Sequence, residues 1–206
     1  MKLILFSGFL GSGKTSLILS LAHYIVDKKN AEDEPALVII ENEIGEIGID
    51  EKVLNASGGF EIRELFSGCI CCQISVDLIT TLNDVAESIQ PEWVIIESTG
   101  LAYPGKILET INRYAKGISR VLTISVVDAE RWEMLLEMTP FIVQEQIKDG
   151  DSILINKIDL LTEKEILSIE QSVSEINPHS RLKKVSAESG IDDSIWEGVL
   201  GIHGEP

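Results

Sequence analysis

The chain has 206 residues, 44% of them hydrophobic, which is enough to bury one sizeable core. It carries 34 Asp and Glu against 17 Lys and Arg, and the net charge of -17 opposes any general attraction to nucleic-acid phosphates or anionic lipid, so proteins and small ligands are the expected partners. No run of ~18 apolar residues reads as a membrane span, and MKLILFS passes straight into a glycine loop with no cleavage site, which leads us to expect a cytoplasmic protein.

The first strand pattern, KLILFS at 2–7, leads into GFLGSGKT, Gly8 to Thr15, and from there into a helical pattern over 14–28. This is the P-loop pattern in the strand-to-helix context that its mechanism requires. Gly8, Gly11 and Gly13 let the backbone wrap closely, so that amide N–H groups and the helix N-terminus face phosphates. Lys14 would reach the β and γ oxygens, and the Thr15 hydroxyl would serve magnesium. The expected nucleotide contacts on this loop are Gly8, Gly11, Ser12, Gly13, Lys14, Thr15 and Ser16.

A second strand is expected at 36–41 (ALVIIE). Residues 42–72 differ from the rest, being rich in glycine and acidic residues with weak periodicity, and we read them as the mobile functional segment. All three cysteines lie there, as Cys69, Cys71 and Cys72. Three thiols within four positions make a poor disulfide framework but a plausible metal or redox motif. They precede a helical pattern at 75–90, whose positive end favours thiolate, and thiolates prefer zinc or copper(I) to magnesium. An extended backbone would turn Cys69 and Cys71 to one side and Cys72 to the other, so three thiols on one ion need a bend, which Gly68 permits. Zinc takes four ligands, so another must be a carboxylate, a water or a partner group. Glu41, Glu43 and Glu46 are the acidic candidates. The competing reading makes the cysteines small buried residues or a redox pair.

Strand 93–97 ends WVIIESTG, placing Glu97 where it can hold a magnesium-bound water and Gly100 where its amide can sense a γ-phosphate. Next come a helix at 104–116, a strand at 120–128, a helical stretch at 129–148 and a strand at 151–156, with breaks at Pro91, Pro104, Pro140 and Pro178. That last strand closes on INKID. Asp159 can accept both the N1 proton and the exocyclic amine of guanine, a donor pair that adenine lacks, while Lys157 lies along the base and Asn156 completes the motif. After a helix at 162–177 and a strand at 181–186, Ser186 and Ala187 would offer an amide to guanine O6. GTP is therefore preferred over ATP. The alternation predicts a three-layer α/β P-loop NTPase fold, a mainly parallel central sheet with helices on both faces, in one domain over 1–206.

In this order, GFLGSGKT, ENEIGEIGID, SGCICC, WVIIESTG and INKID resemble the CobW-type GTPases of the CobW/HypB/UreG metallochaperone group. The GCICC signature is the most specific of these. The resemblance implies a GTP-binding and GTP-hydrolysing metallochaperone or metallocofactor-maturation protein using GTP/GDP, magnesium and a transition metal, zinc foremost. By position, Lys14, Thr15 and Glu97 match the catalytic phosphate and magnesium residues, Glu41 to Asp50 the switch loop, Cys69, Cys71 and Cys72 with Glu41 and Glu46 the transition-metal set, and Asn156 to Asp159 the guanine motif. Implied partners are a client metalloenzyme or a cofactor-assembly protein, with a homodimer left open. The chain departs from the family at Ile44, where Phe is frequent. It also reads as a short form lacking the C-terminal domain and its histidine-rich stretch, since His23, His179 and His203 lie far apart. An alternative is a GTP-dependent adaptor of a cofactor-dependent enzyme with structural cysteines. A small-molecule kinase is disfavoured by INKID and by the scatter of Arg63, Arg113, Arg120, Arg131 and Arg181.

Overall fold

A computed structural model describes residues 1–28, 37–41, 60–64 and 73–201, with the side chains of 60, 62–64 and 73–75 left aside. Its strands are β1 (Lys2–Gly8), β2 (Leu37–Glu41), β3 (Phe60–Glu64), β4 (Trp93–Glu97), β5 (Arg120–Asp128), β6 (Ser152–Asn156) and β7 (Arg181–Lys184). They form one seven-stranded sheet in the order β3-β2-β4-β1-β5-β6-β7, and every pairing is parallel. The helices are α1 (Lys14–Asp27), α2 (Gln73–Ser88), α3 (Pro104–Tyr114), α4 (Trp132–Met138), α5 (Pro140–Ile147), α6 (Glu163–Ile176) and α7 (Asp193–Leu200). A short 3-10 turn spans Ile158–Leu160.

Alternation along the central strands divides the core between the two faces. Ile4 and Phe6 of β1 join Ile124 and Val126 of β5 beneath α1 and α7, in a cluster with Leu17, Leu21 and the fully buried Trp196. Leu3 and Leu5 point the other way, into a cluster with Leu78 and Leu82 of α2 and Ile111 of α3. On that same face, Val127, Ile153 and Ile155 pack against Trp132, Val143, Ile169 and Val173 from α4, α5 and α6. Strands covered on both faces can be apolar at nearly every position, and β2, β4 and β6 are buried throughout. Residue Trp196 ties α7 to α1 by donating its indole N–H to Ser20 Oγ at 3.2 Å.

Three expectations need correcting. The helical stretch at 129–148 is two helices, because Pro140 cannot extend α4 but fits the first turn of α5, where its missing N–H costs nothing. The segment 42–72 contains β3, whose five residues FEIRE pair with β2 at the sheet edge. So short an alternating run inside a glycine-rich stretch is a weak signal. Helix α7, which follows the last strand, was not among the expected helices.

Helix α6 begins with a capping box. Thr162 N and Oγ1 donate to Glu165 Oε2 at 2.8 and 2.6 Å, and Glu165 N donates back to Thr162 Oγ1 at 3.4 Å. The Thr162 hydroxyl, then its N–H, holds the Glu165 carboxyl below its ordinary 4.5. A depressed carboxyl pKa stabilises the fold fully above the ordinary value, and the contribution is lost as pH falls through the lower folded value. Removing the N-cap hydroxyl in Thr162→Ala is expected to cost about 1 kcal/mol at neutral pH. Thermal denaturation should show the gap to the parent narrowing once the pH drops below 4.5.

Candidate functional site

The carboxyl ends of the parallel strands form one edge of the sheet, where ligands of open α/β sheets bind. Central strand β1 delivers its loop there, flanked by β4 and β5. Gly8, Gly11 and Gly13 have φ of 141°, 73° and 92°, left-handed values that explain the glycines. Two positions also lack room for a side chain: a Cβ on Gly8 would strike the Val126 carbonyl oxygen, and one on Gly13 would strike Asn156 Nδ2. At Gly100 the limit is closeness alone, since a Cβ there would lie 2.6 Å from Leu10 N. Gly100 therefore rests directly against the P-loop.

Lys14 is buried at 4% exposure, and its ammonium donates to Phe9 O at 3.3 Å. Thr15 Oγ1 donates to both carboxylate oxygens of Glu97, at 3.1 and 3.2 Å, although the two residues are 82 apart in sequence. Glu97 is in turn beside Glu41, the two being register partners on adjacent parallel strands. Both carboxylates are buried, at 4% and 8% exposure. Glu41 is the last residue of β2, in keeping with the strand expected at 36–41, so the first residue of the expected switch loop is held in the sheet. Glu64 occupies the same register level on β3. Ser12 Oγ and Ser98 Oγ are buried with no hydrogen-bond partner among the described residues, one inside the P-loop and one next to Glu97. Orphaned hydroxyls at such a site are what a bound ligand or ion would satisfy.

On the other side of the P-loop, a cavity of about 360 Å³ is lined by Gly13, Ser16, Glu130, Asn156, Lys157, Asp159, Leu160, Ala187 and Glu188. Its volume suits a small ligand such as a nucleoside. Asn156 builds the wall. Its Nδ2 donates to Ser12 O at 2.8 Å, and its Oδ1 accepts the Ala187 N–H at 2.9 Å. The Ala187 amide, expected to meet guanine O6, is thus engaged by Asn156, and Ser186 Oγ is bound within its own turn to Ser189. Asp159 is exposed on the cavity lining.

The structure therefore brings together the P-loop, Glu97, Gly100, Asn156, Lys157, Asp159 and Ala187 around one sheet edge. Cys69, Cys71, Cys72, Glu43, Glu46 and Ile44 lie outside the described residues. Among the described residues no group of three His, Cys, Asp or Glu side chains is placed to hold a metal, and no helix is long and apolar enough to cross a membrane.

Residues 2–184 match the family model described as the CobW/HypB/UreG nucleotide-binding domain. The chain belongs to this family. It is 33% identical over 196 residues to the Escherichia coli zinc chaperone YjiA, covering 91% of this chain and 55% of that protein. To zinc-regulated GTPase metalloprotein activator 1 of Dictyostelium discoideum it is 29% identical over 215 residues, covering 85% of this chain and 44% of the other. The chain thus spans about half the length of these curated relatives. The structure of a zinc-bound triple mutant of the YjiA GTPase superposes with a TM-score of 0.67 at 24% identity, over 99% of this chain and 63% of that one, which establishes the family fold.

Within the family site, sequence reasoning passed over Asp128, Arg131 and Gln146. Asp128 is a carboxylate closing a buried strand at the ligand edge, the same signal that singled out Glu97. The side-chain amide of Gln146, a buried residue of α5, donates to Gly100 O at 2.9 Å and so ties the Gly100 turn to that helix. No pattern in the sequence marks that role.

Proposed function

We propose that this protein is a GTP-hydrolysing metallochaperone in which the nucleotide state sets the affinity of Cys69, Cys71 and Cys72 for a zinc cargo and so gates its transfer to a client metalloprotein. The observation that carries this reading is the adjacency of Glu41 and Glu97. Glu97 is joined to Thr15 of the P-loop, and Glu41 is the residue from which the chain enters 42–72, the segment containing the cysteines. A change at the phosphate end of the nucleotide is then one strand spacing, about 4.8 Å, from the start of that segment. Support also comes from the relatives, named as a zinc chaperone and a zinc-regulated GTPase activator.

The donors fit the nucleotide and its cation. Thr15 and Glu97 offer only hard oxygen atoms, the set magnesium prefers. When bound there, magnesium supplies charge neutralisation at the β and γ oxygens. Lys14 and the P-loop amides bind and orient the phosphates, Asp159 reads the guanine edge, and the stem of Lys157 covers the base. Phosphoryl transfer depends mainly on positioning, so slow basal turnover completed by a client belongs to the same reading.

Zinc titration of the protein bound to GDP and to a non-hydrolysable GTP analogue tests it. A difference of about 5- to 150-fold is expected, the range of typical allosteric coupling. Zinc should reciprocally shift nucleotide affinity by the same factor, and Cys71→Ser should abolish the effect. Identical zinc affinities in the two states would overturn the proposal.

A further inference from the structure

Asp128 has a side chain with no solvent exposure, yet it is a carboxylate at the end of a strand whose other buried residues are neutral. Such a group is retained only if charge and hydrogen bonds compensate it. Two cations do so. Its Oδ2 accepts from Arg131 Nε at 2.7 Å, is paired with Arg131 Nη2 at 2.6 Å, and is paired with Lys157 Nζ at 2.8 Å. Oδ1 accepts the Arg131 backbone N–H at 3.3 Å.

Each cation belongs to a different half of the nucleotide site. Lys157 is the lysine of INKID. Its backbone sits at φ 67°, one of two non-glycine residues in left-handed conformation among those described, and its side chain lines the base cavity. Left-handed backbone at a lysine persists only where surrounding contacts hold it. The Asp128 pair pins the ammonium, which keeps the aliphatic stem along the cavity wall. Arg131 continues the link to the other half: Nη2 also donates to Leu10 O at 2.6 Å, and the guanidinium lies beside Gly11. Asn156, by its bond to Ser12 O, makes a separate connection from the base motif to the P-loop.

We propose that Asp128 and Arg131 are positioning residues that hold Lys157 against the base cavity and lock its placement to the P-loop, so that they set the preference for guanine although neither belongs to the base-reading motif. This rests on the assignment of the cavity to guanine. A purely structural alternative is that Asp128 only closes the turn before α4, through the Arg131 N–H.

The test uses the full chain with Asp128→Asn and Arg131→Gln, measuring affinity for fluorescent GDP and ADP together with thermal melting. Both variants should lower the GDP-to-ADP affinity ratio by about tenfold, a size usual for coupled neighbours. In a Lys157→Met background, Asp128→Asn should leave the ratio unchanged. A structural role would lower the melting temperature and weaken both nucleotides equally, and an unaltered ratio in the two variants overturns the proposal. If Asp128→Asn fails to fold, Arg131→Gln decides alone, since its side chain is 36% exposed. A parent protein with no preference for GDP over ADP would instead overturn the guanine assignment, and this inference with it.

Discussion

Asp159→Asn is expected to weaken GTP binding by about 10²- to 10⁴-fold, the size of losing two hydrogen bonds to a charged acceptor at about 1.5–3 kcal/mol each. In the proposed function the carboxylate would accept two guanine donors, and the replacement amide would point a donor at one of them. Xanthine carries a carbonyl where guanine carries its exocyclic amine, so the same variant should gain affinity for xanthosine triphosphate. Competition binding with both nucleotides reads this exchange directly. Because Asp159 is exposed and no side-chain hydrogen bond or ion pair holds it among the described residues, its loss should leave the melting temperature of the nucleotide-free protein unchanged. Equal weakening of GTP and xanthosine triphosphate would remove Asp159 from base reading.

The second large effect is Gly13→Ala. The new methyl would occupy the place of Asn156 Nδ2, at a residue whose φ is 92°. The left-handed backbone alone costs about 1–2 kcal/mol for a non-glycine residue. Displacing Asn156 also breaks its bonds to Ser12 O and Ala187 N, the contacts that join the P-loop to the base motif. A total loss of about 3 kcal/mol would lower the melting temperature by roughly 6–12 °C in a domain of this size. Ligand binding should separate this variant still more clearly. In the parent, GDP at a hundred times its dissociation constant adds about 2.7 kcal/mol of stability. The variant should show almost no GDP-dependent shift, and a shift equal to the parent's would mean that the loop tolerates the displacement.

Much of this architecture was legible because burial on both faces leaves a strong mark. VIIE in β2 and β4 and ILIN in β6 are apolar runs that only a covered parallel sheet accommodates. Strand β3 was not legible, since an edge strand buries less and FEIRE carries three charges in five residues. The division of 129–148 into α4 and α5 turned on Pro140, which the sequence marked as a break without saying that a new helix would start on it. The strand expected at 36–41 ends on Glu41 as β2 does, but its burial beside Glu97 was not legible, because the register that pairs the two carboxylates is set by strand order.

By itself the sequence determined the glycine loop after the first strand and the INKID motif at the end of a later one, because those motifs need particular residues at fixed local spacing: glycines for left-handed turns, and a lysine and hydroxyl at the start of a helix. The tertiary structure alone decided which distant residues meet. Thr15 finds Glu97, Asn156 spans Ser12 and Ala187, and Asp128 joins Lys157 to Arg131 and through it to Leu10. These pairings arise because parallel strands bring all their carboxyl ends to one edge, a property of strand order and register that local spacing does not encode.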